Sequence, residues 1–135
     1  MPVLQLIAPS GNPHDRNAVA RGVDYFTRQG WRVTGQACAL RQMQRFAGTD
    51  EERLAEINNL SRFINPTEEL QSKRPDLVMA LRGGYGLSRL LDRIDFKEIA
   101  KANLCFMGHS DFTAFNLAYF AQAGMSSYNG PMMSY

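Results

Sequence analysis

The chain has 135 residues, 44% apolar and 21% charged, enough for one domain with a real core and too apolar for a disordered segment. Its formal net charge is +2 with acids and bases interspersed, which gives no case for nucleic acid or an anionic membrane as partner. No apolar run is long enough to cross a bilayer, and Met1-Pro2-Val3-Leu4-Gln5 carries no basic n-region of a signal peptide.

In chain order, Val3 to Ala8 reads as a strand ending at Pro9-Ser10-Gly11. Asn17 to Gln29 reads as a helix with Val19, Val23 and Phe26 on one face, stopped by Gly30. Trp31 to Thr34 is a second strand, and residues 35 to 48 fit no single element. Thr49-Asp50-Glu51-Glu52 is a capping box, and the helix after it presents Leu54, Ile57 and Leu60. Asn65-Pro66 breaks that helix, and a short helical piece can restart at Thr67. Asp76 to Leu81 is a buried strand that runs into Arg82-Gly83-Gly84-Tyr85-Gly86. A helix is predicted next, with Leu87, Leu90, Leu91 and Ile94 at helical spacing. Leu104 to Met107 is another buried strand. After Gly108-His109-Ser110-Asp111 comes a helix from Phe112 to Ala123, closed by Gly124. A last short strand is expected near Met125 to Tyr128, before Asn129-Gly130-Pro131.

Strand and helix alternate, so the fold class is α/β. About five mainly parallel strands with helices on both faces are expected, a doubly wound, flavodoxin-like sheet. In such sheets ligands bind outside the carboxyl ends of the strands. Ser10, Gly83 to Gly86 and Ser110 all fall at those ends. Two cysteines, Cys38 and Cys105, make no disulfide framework, and Cys105 is expected to be a small buried hydrophobe in its strand. The cytoplasm is the default compartment. His14 and His109 are far apart with no ligand spacing around either, so no metal site is expected.

Two turns carry chemistry. A serine between strand and helix sits on a sharp turn, with its hydroxyl pushed outward and the first helical N–H groups beside it. Ser110 can therefore be a nucleophile with backbone stabilisation of an oxyanion. Equally, Ser110 or Asp111 can be the N-cap of the following helix, because Phe112 stands where the usual G-x-S-x-G elbow has its last glycine. The Gly83 to Gly86 turn bares backbone N–H groups to an anion. It is neither a P-loop nor a dinucleotide fingerprint, so no cofactor is called for. Glycines alone also fit a tight strand-to-helix turn.

Taken together these residues resemble the amino-terminal part of the LD-carboxypeptidase family of serine peptidases. The matching pieces are Ala8-Pro9-Ser10-Gly11, Gly48-Thr49-Asp50-Glu51-Glu52-Arg53, Arg82-Gly83-Gly84-Tyr85-Gly86 with Arg89-Leu90-Leu91, Gly108-His109-Ser110-Asp111-Phe112-Thr113-Ala114, and Gly130-Pro131-Met132. They occur in family order across nearly the whole chain. The resemblance implies release of a terminal D-alanine from a cytoplasmic murein tetrapeptide during cell-wall recycling. It implies a Ser-Glu-His triad in that chain order, with the serine at Ser110 and the other two in a carboxy-terminal domain that this chain lacks. Residues 1–135 are then the nucleophile-bearing domain, expected to be inactive alone and to form a homodimer through the face left bare. Two departures stand out: His109 where tyrosine is more usual, and Asn129 where a histidine often precedes Gly-Pro. The alternatives are an immunity-type relative that cleaves an acyl-nucleotide antibiotic, and a binding domain without catalysis.

His109 is a poor candidate for the base, because adjacent side chains on a turn rarely meet. Asp111 is expected to donate its backbone N–H to the oxyanion, with the second donor from Gly83 or Gly84. Arg82 either grips a substrate carboxylate or pairs with an acid to hold the loop. Tyr85 lines the pocket or covers the turn. Ser10 is favoured as a cap rather than a participant.

Overall fold

A computed structural model describes residues 1–134. Five parallel strands form one sheet: β1 (Val3–Ile7), β2 (Arg32–Thr34), β3 (Leu77–Ala80), β4 (Phe106–Gly108) and β5 (Tyr128–Asn129). Their order is β2-β1-β3-β4-β5. Parallel neighbours need crossovers, and helices supply them: α1 (Arg16–Arg28), α2 (Asp50–Asn58), α3 (Glu68–Lys73), α4 (Phe96–Ala100) and α5 (Phe112–Ala123). The expected fold class holds.

Side chains alternate across the strands with period two, and each face has its own core. Leu4 and Leu6 of β1 and Met79 of β3 pack with Val19, Val23 and Phe26 of α1 and with Cys38 and Ala39. Ile7, Val78, Ala80 and Phe106 pack on the other side with Ile57, Phe96, Ile99, Phe112, Phe115 and Tyr119. The second layer is the thicker. Within it Phe115 lies 4.7 Å from Phe112, 4.8 Å from Phe106 and 5.3 Å from Phe96, ring centre to ring centre.

Local signals place the helix ends. Asp15 caps α1 by accepting from the Asn17 N–H. Thr49 and Glu52 form the complete capping box of α2. Thr67 caps α3, and Gly124 ends α5 in the left-handed region at φ +67°.

Three expectations need correction. The helix predicted to carry Leu87, Leu90, Leu91 and Ile94 is only a 3-10 turn over Leu87–Arg89. Leu87, Leu90 and Ile94 are buried as their spacing implied, but the Gly86 carbonyl that an α-helix would offer to Leu90 accepts instead from Arg53. The Leu90 N–H turns to the Leu87 carbonyl. The helix on this crossover is α4, which starts later, where Asp95 accepts from the Glu98 N–H. Cys105 is half-buried and precedes β4 rather than lying within it. The last strand is Tyr128–Asn129, short and at the edge. Of the thiols, burial pushes Cys38 up to about 12 and Cys105 upward.

The segment 35–48, without a clear pattern in the sequence, forms a 3-10 turn at Gln36–Leu40 and then a tight excursion. Phe46 makes isolated bridges to Met43 and to Gly11, which bring this excursion to the end of β1. No described helix is long and apolar enough to cross a membrane.

Candidate active site

The chain moves from β1 to β2 on one side and then to β3 on the other. The β1–β3 junction is thus the switch point where doubly wound sheets leave a crevice. A cavity of about 400 Å3 lies at this edge, lined by Arg82, Gly83, Gly84, Tyr85, Ser110, Asp111 and Met132. All six candidate site residues named from the sequence are brought together there. Met132, 4% exposed, joins them because the chain after β5 returns along β3, where the Met133 N–H donates to the Ala80 carbonyl and the Ser134 N–H to that of Leu81.

Ser110 is exposed and sits at φ +59°, in the left-handed region that a non-glycine residue occupies only under constraint. The Phe112 N–H donates to the His109 carbonyl and the Thr113 N–H to that of Ser110, which closes the turn into α5 through the backbone. No side-chain cap forms at this helix end. Neither Ser110 nor Asp111 therefore acts as the N-cap side chain. His109 is half-buried and is not among the residues lining the cavity.

Gly83 faces Ser110 so closely that a Cβ there would lie 2.8 Å from both the Cβ and the Oγ of the serine. Gly84 adopts φ +140°, and a Cβ there would lie 2.8 Å from Ser10 Oγ. The N–H groups of Gly83, Gly84 and Asp111 have no hydrogen-bond acceptor among the described residues. Three backbone donors thus remain at the wall of a cavity that also presents a hydroxyl.

The Gly-rich loop is held from below by three polar groups. Ser10 is fully buried, and its Oγ accepts from the Gly86 N–H at 2.9 Å, a long-range contact to the loop after β3 rather than the local cap favoured from sequence. The Asp111 carboxylate accepts from the Leu87 N–H at 3.3 Å. Burial pushes the Asp111 carboxyl above its ordinary value, while the Ser10 hydroxyl, the Leu87 N–H and the charges of Arg53 and Arg82 oppose the shift. Its Oδ1 is buried without a hydrogen-bond partner.

The third group, Arg53, went unassigned in the sequence. Its side chain is 0% exposed. Its Nη1 donates to the Pro9 and Gly86 carbonyls, both at 2.8 Å, and its Nε to the Gly48 carbonyl at 3.2 Å. Its Nη2 meets Asp50, which Arg89 grips from outside at 2.8 Å to 3.1 Å. The hydrogen bond from Arg89 holds the Asp50 carboxyl below its usual range. A signal was present: Arg53, Ile57 and Leu60 stand at i, i+4 and i+7, which puts a guanidinium on the buried stripe of the helix. Near the end of β1, Glu56 accepts from the Ala8 N–H at 2.8 Å and pairs with Arg41 at 3.1 Å. Burial raises the Glu56 pKa against those two contacts.

Arg82 pairs with no carboxylate among the described residues. Its Nη1 donates weakly to the Asn12 carbonyl at 3.4 Å, and its Nε is buried without a partner. Tyr85 is 79% exposed at the cavity rim. No group of three or more His, Cys, Asp or Glu among the described residues is placed to hold a metal.

Fold and crevice together define an open parallel α/β domain with an exposed serine on a strand-to-helix turn at the strand switch point. The chain belongs to the LD-carboxypeptidase family, whose N-terminal domain matches it over residues 4–130. It is 30% identical over 129 residues to a probable murein peptide carboxypeptidase of Bacillus subtilis, covering 96% of this chain and 37% of that protein. It is 29% identical over 119 residues to the microcin C7 self-immunity protein MccF of Escherichia coli, covering 87% of this chain and 32% of that one. A solved muramoyltetrapeptide carboxypeptidase from Oxalobacter formigenes superposes with a TM-score of 0.77 at 32% identity, over 98% of this chain and 41% of that one. The chain therefore spans roughly two fifths or less of the length of these relatives.

Proposed function

We propose that this chain is the nucleophile-bearing domain of a serine LD-carboxypeptidase, with Ser110 as nucleophile. It would act on a cytoplasmic murein tetrapeptide, releasing the terminal D-alanine in cell-wall recycling. The observation that carries the reading is Ser110 itself: exposed, at φ +59°, between β4 and α5, and facing a glycine whose missing side chain leaves its hydroxyl clear.

Ser110 Oγ, giving its proton to the triad histidine, attacks the scissile carbonyl; the C–N bond breaks, D-alanine leaves as the amine protonated from that histidine, and water then hydrolyses the acyl-enzyme. The Asp111 N–H and a Gly83 or Gly84 N–H hold the oxyanion. Arg82 meets the terminal carboxylate, a role supported by its lack of an acidic partner and its buried, unpaired Nε. Tyr85 and Met132 form the walls. The glutamate and histidine of the triad would come from the part of the longer relatives that residues 1–135 do not match. The chain alone is expected to be inactive and to self-associate through the exposed carboxyl edge, where Tyr85 and Tyr128 are exposed.

The test is mass spectrometry of a murein tetrapeptide incubated with the chain and with a version extended to the length of its relatives. The extended version should release D-alanine, and Ser110→Ala in it should lower turnover by several orders of magnitude with the fold intact. Near wild-type release by a folded Ser110→Ala protein rejects the assignment. The likeness to MccF favours a second reading, an acyl-nucleotide substrate, and an acyl-sulfamoyl nucleoside in the same assay separates the two.

A further inference from the structure

The Ser110 cavity continues past Tyr85. Arg82, Gly84 and Tyr85 also border a second cavity of about 180 Å3, closed by Gly11, Asn12, His14, Arg45 and Phe46. Its lining holds two guanidinium groups and an imidazole, and no carboxylate. The Arg45 guanidinium lies 5.0 Å from the ring centre of Phe46 and 6.0 Å from that of Tyr85, so two aromatic rings flank it at the mouth. Of the other arginines, Arg41 pairs with Glu56, and Arg53 and Arg89 with Asp50, while Arg16, Arg32, Arg62 and Arg74 make no ion pair among the described residues. Arg45 and Arg82 meet none among the described residues. Two like charges bordering one small cavity repel, and an anion between them relieves the repulsion.

We infer that this second cavity is the subsite for the leaving residue of the substrate, with Arg45 and Arg82 gripping its terminal carboxylate from two sides. The inference rests on Ser110 being the nucleophile. A carboxypeptidase cuts one residue from the chain end, so the carboxylate must lie within one residue of the attacked carbonyl. Arg82 borders both cavities and stands at that junction. The backbone excursion at 43–46 then has a use: the Gly11–Phe46 bridge brings Arg45 to the end of β1. The guanidinium fork suits a carboxylate, and the rings of Phe46 and Tyr85 offer apolar walls to a small side chain. The modest volume makes Arg45 and its neighbours selective for a small terminal residue as well as for a free terminus.

The experiment uses the 135-residue chain, two-dimensional amide NMR, and three ligands: Nα-acetyl-L-lysyl-D-alanine, its carboxamide, and adenosine monophosphate. The free-acid peptide should shift the Asn12, Phe46, Gly84 and Tyr85 signals and bind about fivefold more tightly than the carboxamide, as expected for a partly exposed charged contact. Arg45→Gln should lower that preference to about twofold, the part that Arg82 still supplies, and should weaken the free acid more than the carboxamide. Equal affinity for acid and amide, or a preference that Arg45→Gln leaves at about fivefold, overturns the subsite while shifts at Gly83 and Asp111 keep the Ser110 cavity as a peptide site. Absence of shifts at Gly83, Gly84 and Asp111 with either peptide rejects the subsite and the peptidase reading together. Tighter, Arg45-dependent binding of adenosine monophosphate assigns the cavity to a phosphate and overturns the carboxylate.

Discussion

Arg53→Met removes the buried cation without removing the groups it serves. Pro9, Gly86 and Gly48 each lose the donor to a buried carbonyl. Each unmet carbonyl costs about 1 kcal/mol or more, and loss of one partner from a buried charged network costs about 3–5 kcal/mol, so the two estimates agree. Asp50 keeps Arg89 and adds little to the loss. Unfolding entropy near 2.1 cal/mol/K per residue gives roughly 280 cal/mol/K for a chain of 135 residues. One kcal/mol then moves Tm by about 3.5 °C, and the variant should melt about 10–18 °C lower. Urea titration followed by circular dichroism measures the free energy, and amide NMR reads the loop. The signals of Gly83 to Leu87 should move or broaden, because Gly86 loses its carbonyl anchor. Arg53→Lys should recover about half of the loss, since an ammonium keeps the charge but cannot fork to several carbonyls. A loss below about 1 kcal/mol, with the loop signals unmoved, refutes the reasoning.

Gly84→Val should leave a folded protein but lower activity of the extended version about 100-fold, because φ +140° is closed to a β-branched residue and the shifted loop misplaces the substrate; a folded and fully active variant makes the turn merely structural. The raised pKa of Asp111 means that the folded state binds its proton more tightly than the unfolded one, so this residue's contribution to stability falls as pH rises from the unfolded value through the raised one. Asp111→Asn keeps an acceptor for the Leu87 N–H and should flatten that dependence in urea midpoints taken between pH 4 and 7; an unchanged slope rejects the burial effect. The chain alone should release no D-alanine above background and should show concentration-dependent self-association by sedimentation. Robust turnover lost on His109→Ala would make His109 the base after all.

Much of the site was legible because parallel topology does the gathering. Arg82 to Tyr85 and Ser110 to Asp111 lie at strand ends, and a doubly wound sheet puts those ends along one edge whatever the details. The Thr49 capping box and the Gly124 stop were equally plain, since their partners lie within five residues. Residues whose partners lie far off in the chain were not. Arg53 reaches Pro9 and Gly86 across 44 and 33 positions, and that contact takes the carbonyl an α-helix at Leu87 would have used. Hydrophobic spacing thus reported the burial of Leu87, Leu90 and Ile94 but not their backbone. The start of α4 was readable: Asp95-Phe96-Lys97-Glu98 is a cap signal that the longer leucine pattern overshadowed. The second cavity needed Asn12, Arg45 and Arg82 together, and long-range contacts bring them into one place: the Gly11–Phe46 bridge, the Asn12 N–H on the Arg45 carbonyl and the Arg82 guanidinium on the Asn12 carbonyl.

Gly86 and Leu87 explain how separate elements become one site. The Gly86 N–H goes to Ser10 after β1, its carbonyl to Arg53 on α2, and the Leu87 N–H to Asp111 after β4. Three crossovers are therefore tied to two adjacent residues of the loop after β3. Asp111 is also the neighbour of Ser110, so the same carboxylate that fixes the Gly-rich loop fixes the turn carrying the serine. Loop and turn cannot shift independently without breaking the half-buried Leu87–Asp111 hydrogen bond, which costs about 1 kcal/mol. Backbone donors held this way before substrate arrives need no reorganisation when negative charge develops, which is the condition for electrostatic stabilisation of an oxyanion. The tie also accounts for the short 3-10 turn at Leu87–Arg89: the first polar groups of that segment are committed to the site, and regular α-helix resumes only after Asp95.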